Sequence, residues 1–174
     1  MIMNLHNFFQ QIQLKNGIPA QVQLLTKDDK KSLEDGFERL SERTKYNRFF
    51  SHIKKLTEKQ LEYFTNIDYI NHFALGVHDI LMGPQYGIAI GRYIKMPNEP
   101  DTVEIAITVT DEYHHLGIGK YLINNLVQVA RDNGFKKFVG FTMPDNKKVM
   151  KLIEIFNPKI TYQPGAIFRL DWKL

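Results

Sequence analysis

Residues 111–122 read DEYHHLGIGKYL, two histidines and two glycines directly before a helical pattern. The segment ahead of them, VEIAITV (103–109), alternates strictly. Val103, Ile105, Ile107 and Val109 take one face, and Glu104, Ala106 and Thr108 take the other, as in a strand. Behind the glycines, Leu122, Leu126, Val129 and Ala130 form a helical stripe that Asp132-Asn133-Gly134 ends. The first amides of such a helix lack intrahelical acceptors and lie at the positive end of its dipole. Glycines let an anion approach that backbone closely. The stretch is either a phosphate or pyrophosphate cradle or a plain strand-to-helix turn, and spacing alone does not separate the two.

Other motifs fit poorly. A dinucleotide fingerprint needs a third glycine where Leu122 stands. A P-loop needs a glycine at His114 and Ser or Thr at Tyr121. Adjacent side chains point apart on most backbones, and no carboxylate partner lies at a useful spacing. His114 and His115 are therefore not expected to bind a metal.

Working outward, AQVQLLT (20–26) reads as a strand. Thr26 then caps a helix over 27–40, with Asp28 and Asp29 in its first turn and Leu33, Phe37 and Leu40 on one face. Thr57 and Gln60 have capping-box spacing ahead of Leu61 and Phe64. Residues 72–77 and 86–94 are rich in branched and aromatic residues and read as strands, separated from 103–109 by the turn cluster MPNEPD. FKKFVGFTM reads as another strand, and a helix is expected from Lys147 to Phe156, closed before Pro158. ITYQ-PG-AIFRLDW reads as a hairpin, with Pro164 and Gly165 suited to a type II turn. That order predicts an α/β domain with a mixed sheet.

The 174 residues are enough for one domain over 1–174, with a sizeable core. The net charge of +4 is mild and the basic residues are scattered in pairs such as Lys147-Lys148, so nothing points to nucleic acid. Cysteine is absent, which excludes disulfides, thiolate catalysis and cysteine-ligated zinc. The first residues, MIMNLHNFFQQIQLKNG, lack the basic and apolar regions of a signal peptide, and no run of about 18 apolar residues predicts a membrane span. A cytoplasmic enzyme or binding protein is the expectation.

VTDEYHHLGIGKYLINNLVQVARDNGFKKF resembles the acetyl-CoA-binding core of the GCN5-related N-acetyltransferases (GNAT). Their pattern, Arg/Gln-x-x-Gly-x-Gly/Ala, falls on His114, His115, Leu116, Gly117, Ile118 and Gly119, with histidine at the first position. FERLSERTKYNRFFSHIKKLTEKQLEYFTNIDYINHFALGV is similar to the leading region of the bacterial protein-lysine acetyltransferase branch, through Arg39, Leu40, Ser41, Tyr46, Arg48, Phe49, Phe50, Leu56, Thr57, Asp68 and Tyr69. The resemblance covers roughly residues 20 to 174. It implies a GNAT-like, mostly antiparallel sheet flanked by helices, with acetyl-CoA as co-substrate at the strand-to-helix junction and no metal. Many members of that branch carry a further regulatory or ligase-like domain, for which this sequence is too short.

The resemblance also implies site residues. His114 through Lys120 would hold the pyrophosphate, and Ile107 and Val109 would pair with the pantetheine arm. Asn146 matches an asparagine near that arm, although it reads equally well as a helix N-cap. Glu104 matches the general base, and the residues alone leave open a surface glutamate paired with a lysine across the sheet. Many relatives place a tyrosine, as acid for the departing thiolate, where Ile153 stands. These expectations describe acetyl transfer to a primary amine, with a protein lysine as acceptor. A small-molecule amine (polyamine, amino acid or aminoglycoside) and a non-catalytic acyl-CoA-binding module stay open as alternatives.

Overall fold

The structure, a computed structural model, describes residues 8–174. Part of the leader-peptide expectation falls on residues 1–7, outside the described residues. Eight strands form one sheet in the order β1 (Phe9–Gln13), β2 (Pro19–Leu24), β3 (His72–Asp79), β4 (Gly87–Lys95), β5 (Thr102–Val109), β6 (Lys137–Thr142), β8 (Ile167–Lys173) and β7 (Lys159–Gln163). Every neighbouring pair is antiparallel except β5 and β6. The helices are α1 (Lys30–Glu38), α2 (Glu42–Phe49), α3 (Glu58–Thr65), α4 (Ile118–Asp132) and α5 (Lys147–Ile153).

Alternation along β5 sets the layers. Val103 and Ile105 are buried on the face that α4 covers with Leu122, Leu126, Val129 and Ala130. The face bearing Glu104, Ala106 and Thr108 lies under α1–α3, which hold a smaller core of Phe37, Leu40, Leu56 and Leu61. At Gly91 the close approach of α4 leaves no room for a side chain, since a Cβ would come within 3.1 Å of Leu122 and Leu126.

The predicted caps form. Thr26 and Asp29 make a reciprocal capping box, as do Thr57 and Gln60. The helix expected over 27–40 opens as a 3₁₀ turn at Lys27–Asp29 before α1, and the one expected to Phe156 ends as a 3₁₀ turn at Glu154–Phe156. At the hairpin Gly165 has φ of 83°, as a type II turn requires, and Ala166 follows at 58°. Strand β1 and helix α2 were not anticipated. β1 carries polar residues on an outer edge strand, and α2 (ERTKYNRF) is too charged for an apolar stripe to stand out.

The parallel pair decides where a ligand can enter. β5 and β6 share three rungs, Thr102–Lys137, Val103–Phe138 and Glu104–Val139, and then part. Beyond Glu104, β5 has a partner on its β4 side alone.

Candidate active site

The parting strands open a cleft of about 1040 Å³ that runs from Glu104 to the turn before α4. Thr110 N donates to Ile88 O at 2.9 Å at one end of the β4–β5 ladder, and Met96 N donates to Thr102 O at 2.9 Å at the other. Because amide direction alternates along a strand, the even-numbered residues between them face β4. The backbone groups of Ile107 and Val109 therefore face the cleft, where an extended chain can pair with them as an added strand.

At the far end, Gly117 is the N-cap of α4, with φ of 94° and no side-chain cap. Gly119 lets α5 approach, since a Cβ there would sit 3.3 Å from Leu152. The amides of Ile118, Gly119 and Lys120 are thus left to a ligand, at the positive end of a 15-residue helix. Lys15, Arg43, Lys120, Lys147, Lys148 and Lys151 line the same cleft. Uncapped amides ringed by cations suit a pyrophosphate and further phosphate groups, so a coenzyme A nucleotide fits the residues present.

His114 stands at the junction. Its Nε2 lies 3.0 Å from Val109 O and its Nδ1 lies 2.7 Å from Lys148 Nζ. A carbonyl can only accept and an ammonium can only donate, so the proton is on Nε2 and the ring is neutral. Burial and the Lys148 cation hold its pKa below the usual histidine range. His115 takes a left-handed φ of 65°, and the two rings diverge with an interplanar angle of 77°. Among the described residues no three His, Cys, Asp or Glu side chains come together as metal ligands.

Of the sequence-predicted residues, Glu104, Ile107, Val109, His114, His115, Gly117, Ile118, Gly119, Lys120 and Asn146 all line the cleft. Leu116 does not. Its side chain packs against the main core, and its carbonyl accepts from Lys15 N at 3.3 Å. Asn146 also caps α5, accepting from Val149 N at 3.4 Å. Ile153 is buried, with no polar atom to offer a leaving thiolate. Lys15 and Arg43 were missed because they reach the cleft from β1's turn and from α2, and no local motif marks them.

Glu104 sits where the strands part. Its cross-strand neighbours are Ile94 and Val139, so no lysine is paired across the sheet. Burial raises its carboxyl pKa, and the Arg48 cation partly opposes that rise. Arg48 comes from the last turn of α2, and its guanidinium stacks on Phe49 at 5.0 Å. Asp111 fixes α2 over the site, accepting from Ser41 N at 2.9 Å, Ser41 Oγ at 2.8 Å and Thr44 Oγ1 at 2.9 Å.

An open mixed sheet with a splayed parallel pair, an uncapped helix at the mouth of the splay and a half-buried carboxylate at its head define an acyl-CoA-dependent transferase class. The model of the acetyltransferase (GNAT) family matches residues 87–156 of the chain. Acetyltransferase Pat of Mycolicibacterium smegmatis is 32% identical over 114 residues, which are 66% of this chain and 33% of that protein. The chain thus spans about a third of that relative's length. Acetyltransferase PA5475 of Pseudomonas aeruginosa is 29% identical over 141 residues, covering 80% of this chain and 74% of that one. The GNAT domain of S. lividans PAT superposes with a TM-score of 0.84 at 25% identity, over 95% of this chain and 97% of that domain. Among the described residues no helix is long and apolar enough to cross a membrane.

Proposed function

We propose that this chain transfers an acetyl group from acetyl-CoA to the ε-amine of a protein lysine, with Glu104 as general base. The observation that carries the reading is Glu104 itself, a half-buried carboxylate that has the Arg48 cation nearby but forms no salt bridge among the described residues, at the head of a cleft whose other end suits a pyrophosphate. The arm of the co-substrate lies along Ile107 and Val109, and Gly117 to Lys120 hold its pyrophosphate. This brings the thioester to the closed end of the splay, beside Glu104.

An ammonium with a pKa of about 10.4 is not nucleophilic until it loses a proton. A carboxylate of raised pKa accepts that proton, directly or through one water. The backbone at the closed end supplies fixed dipoles toward the developing oxyanion. Ile153 offers no ionisable proton, and in this reading water protonates the departing thiolate. The protein acceptor rests on the resemblance of residues 37–77 to the protein-lysine branch and on similarity to the two acetyltransferases named Pat. The charged residues lining the cleft are seven Lys or Arg against three Asp or Glu, so it offers a polyamine or an aminoglycoside little acidic lining.

A panel of lysine peptides, spermidine, free amino acids and an aminoglycoside, each assayed with acetyl-CoA, tests this. Acetyl-lysine should form in the peptides at a higher kcat/KM than product forms with any small amine. Acetyl-CoA binding without turnover on any amine would leave a non-catalytic binding module.

A further inference from the structure

A second void lies behind the cleft. Helices α1 and α3 stand off the β3–β5 face and leave a partly open chamber of about 70 Å³ beneath them. The helices touch the sheet closely at one end, where a Cβ on Gly36 would lie 3.4 Å from Gly87 O and Arg39 donates to the same carbonyl. Farther along, the floor is built of small residues, Gly76 and Ala106 among them, while Leu33, Phe37, Leu40 and Phe64 form an apolar roof. One water needs roughly 10–15 Å³ by this measure, so the chamber has room for several water-sized groups. Protein interiors hold few voids larger than a single water. Ser32, His78 and Arg92 border it as well, but most of its lining is apolar and suits an apolar guest.

The chamber's position identifies the guest. Arg48, Ala106 and Thr108 line both the chamber and the cleft, so the two voids meet along β5 beside Glu104. That is the closed end of the splay, where the reading above puts the thioester. An acyl chain attached there and longer than acetyl enters the chamber without leaving the site.

We infer that the chamber is an acyl pocket and that the protein transfers straight aliphatic acyl groups of about four carbons as well as acetyl; this rests on the proposed use of CoA thioesters. The step conserves every atom. The amine nitrogen attacks the acyl carbonyl carbon, a proton passes from nitrogen to Glu104, and the C–S bond breaks with its electron pair on sulfur. Sulfur takes a proton from water, Glu104 returns its proton to solvent, and the products are the acyl amide and free CoA.

Calorimetric titration of the full chain with acetyl-CoA, butyryl-CoA and succinyl-CoA tests the assignment without a known acceptor. Two further methylenes leaving water should make butyryl-CoA bind up to about tenfold more tightly than acetyl-CoA. Leu33→Trp, which fills the chamber from α1, should remove that preference and leave acetyl-CoA affinity unchanged. Leu40→Phe serves the same purpose should the tryptophan variant fail to fold. Butyryl-CoA binding no better than acetyl-CoA would overturn the acyl pocket and leave the acetyltransferase reading intact. Succinyl-CoA binding tightest would also overturn it, because the chamber would then select a carboxylate through Arg48. No thioester binding at all would overturn the reading of the cleft.

Discussion

Glu104 and Arg48 set each other's chemistry. Burial raises the Glu104 pKa and the Arg48 cation restrains it. Activity requires the ionised carboxylate, so the rate should fall as pH drops through a value above the ordinary carboxylate range. Glu104→Gln should keep acetyl-CoA affinity, lower the rate by about 10²–10⁴ and abolish that acid limb. Arg48→Gln should move the limb to higher pH, since the charge that favours ionisation is gone. A near wild-type rate with an unchanged profile in Glu104→Gln would place the base elsewhere. His72 is a separate case, a matter of stability. It is buried, its Nε2 accepts from Arg92 at 3.1 Å, and its pKa is lowered to about 4 by burial first and by the Arg92 cation second. The unfolded chain takes up this proton near pH 6.5 and the native state only near pH 4, so the stability His72 gives at neutral pH is lost as pH falls through that window. The gap is worth about 3 kcal/mol. His78 and His114 act in the same sense and Glu104 in the opposite one. The informative quantity in urea titrations between pH 7 and 4 is therefore the difference between wild type and His72→Gln, which should shrink by roughly that amount. A constant difference would contradict the assigned shift.

At the scale of elements, sequence was informative wherever one face is buried and one is not. The strict alternation over 103–109 predicted β5 and its two faces, and the stripe from Leu122 to Ala130 predicted α4. The glycine turn marked a candidate site between them, because cap chemistry and family resemblance converge on six consecutive residues. Helix α2 shows what that kind of reading cannot find. Its place is set by Asp111, a residue 67 to 70 positions later in the chain, through Ser41 and Thr44. Ser41 also caps α2 locally, accepting from Thr44 N, but no apolar stripe follows it, and so the positions of Arg43 and Arg48 in the candidate site were not legible either. Leu116 is the residue of that turn whose side chain packs on the core instead of lining the cleft. A motif says which residues form a turn, whereas packing decides which of them faces the ligand. The Asp111 tether makes a prediction of its own. Asp111→Ala removes three acceptor contacts at a partly exposed site and should cost about 1–2 kcal/mol of stability. It should also release α2 from the roof of the cleft, so kcat with an amine acceptor should fall several-fold more than acetyl-CoA affinity does. Equal losses in both, or none, would mean that α2 is held by the Phe37–Phe49 contact instead.

Across the whole molecule, the sheet is two antiparallel pieces, β1–β5 and β6–β8, joined by three parallel rungs. That join is the least paired part of the structure, and it is where the co-substrate would lie. Binding there supplies β5 with the missing partner and braces α4 through its N-terminal amides. A ligand that binds the native state alone stabilises it by about 2.7 kcal/mol at a hundredfold excess over Kd. For a chain of this length, that is a rise in Tm of about 5–10 °C. A thermal shift alone does not say where the ligand sits, but backbone amides do. Ile107 and Val109 N–H face the cleft without a strand partner, so hydrogen exchange at these two positions should slow at least tenfold on addition of acetyl-CoA. Thr108, whose backbone already faces β4, should change far less. Dephosphorylated or nucleotide-free pantetheine thioesters should protect the same two amides but shift Tm less, because they leave the α4 amides and the surrounding lysines unengaged. A rise in Tm with no protection at Ile107 and Val109 would show that acetyl-CoA binds outside the splay, and the arrangement of arm, thioester and Glu104 argued above would fall with it.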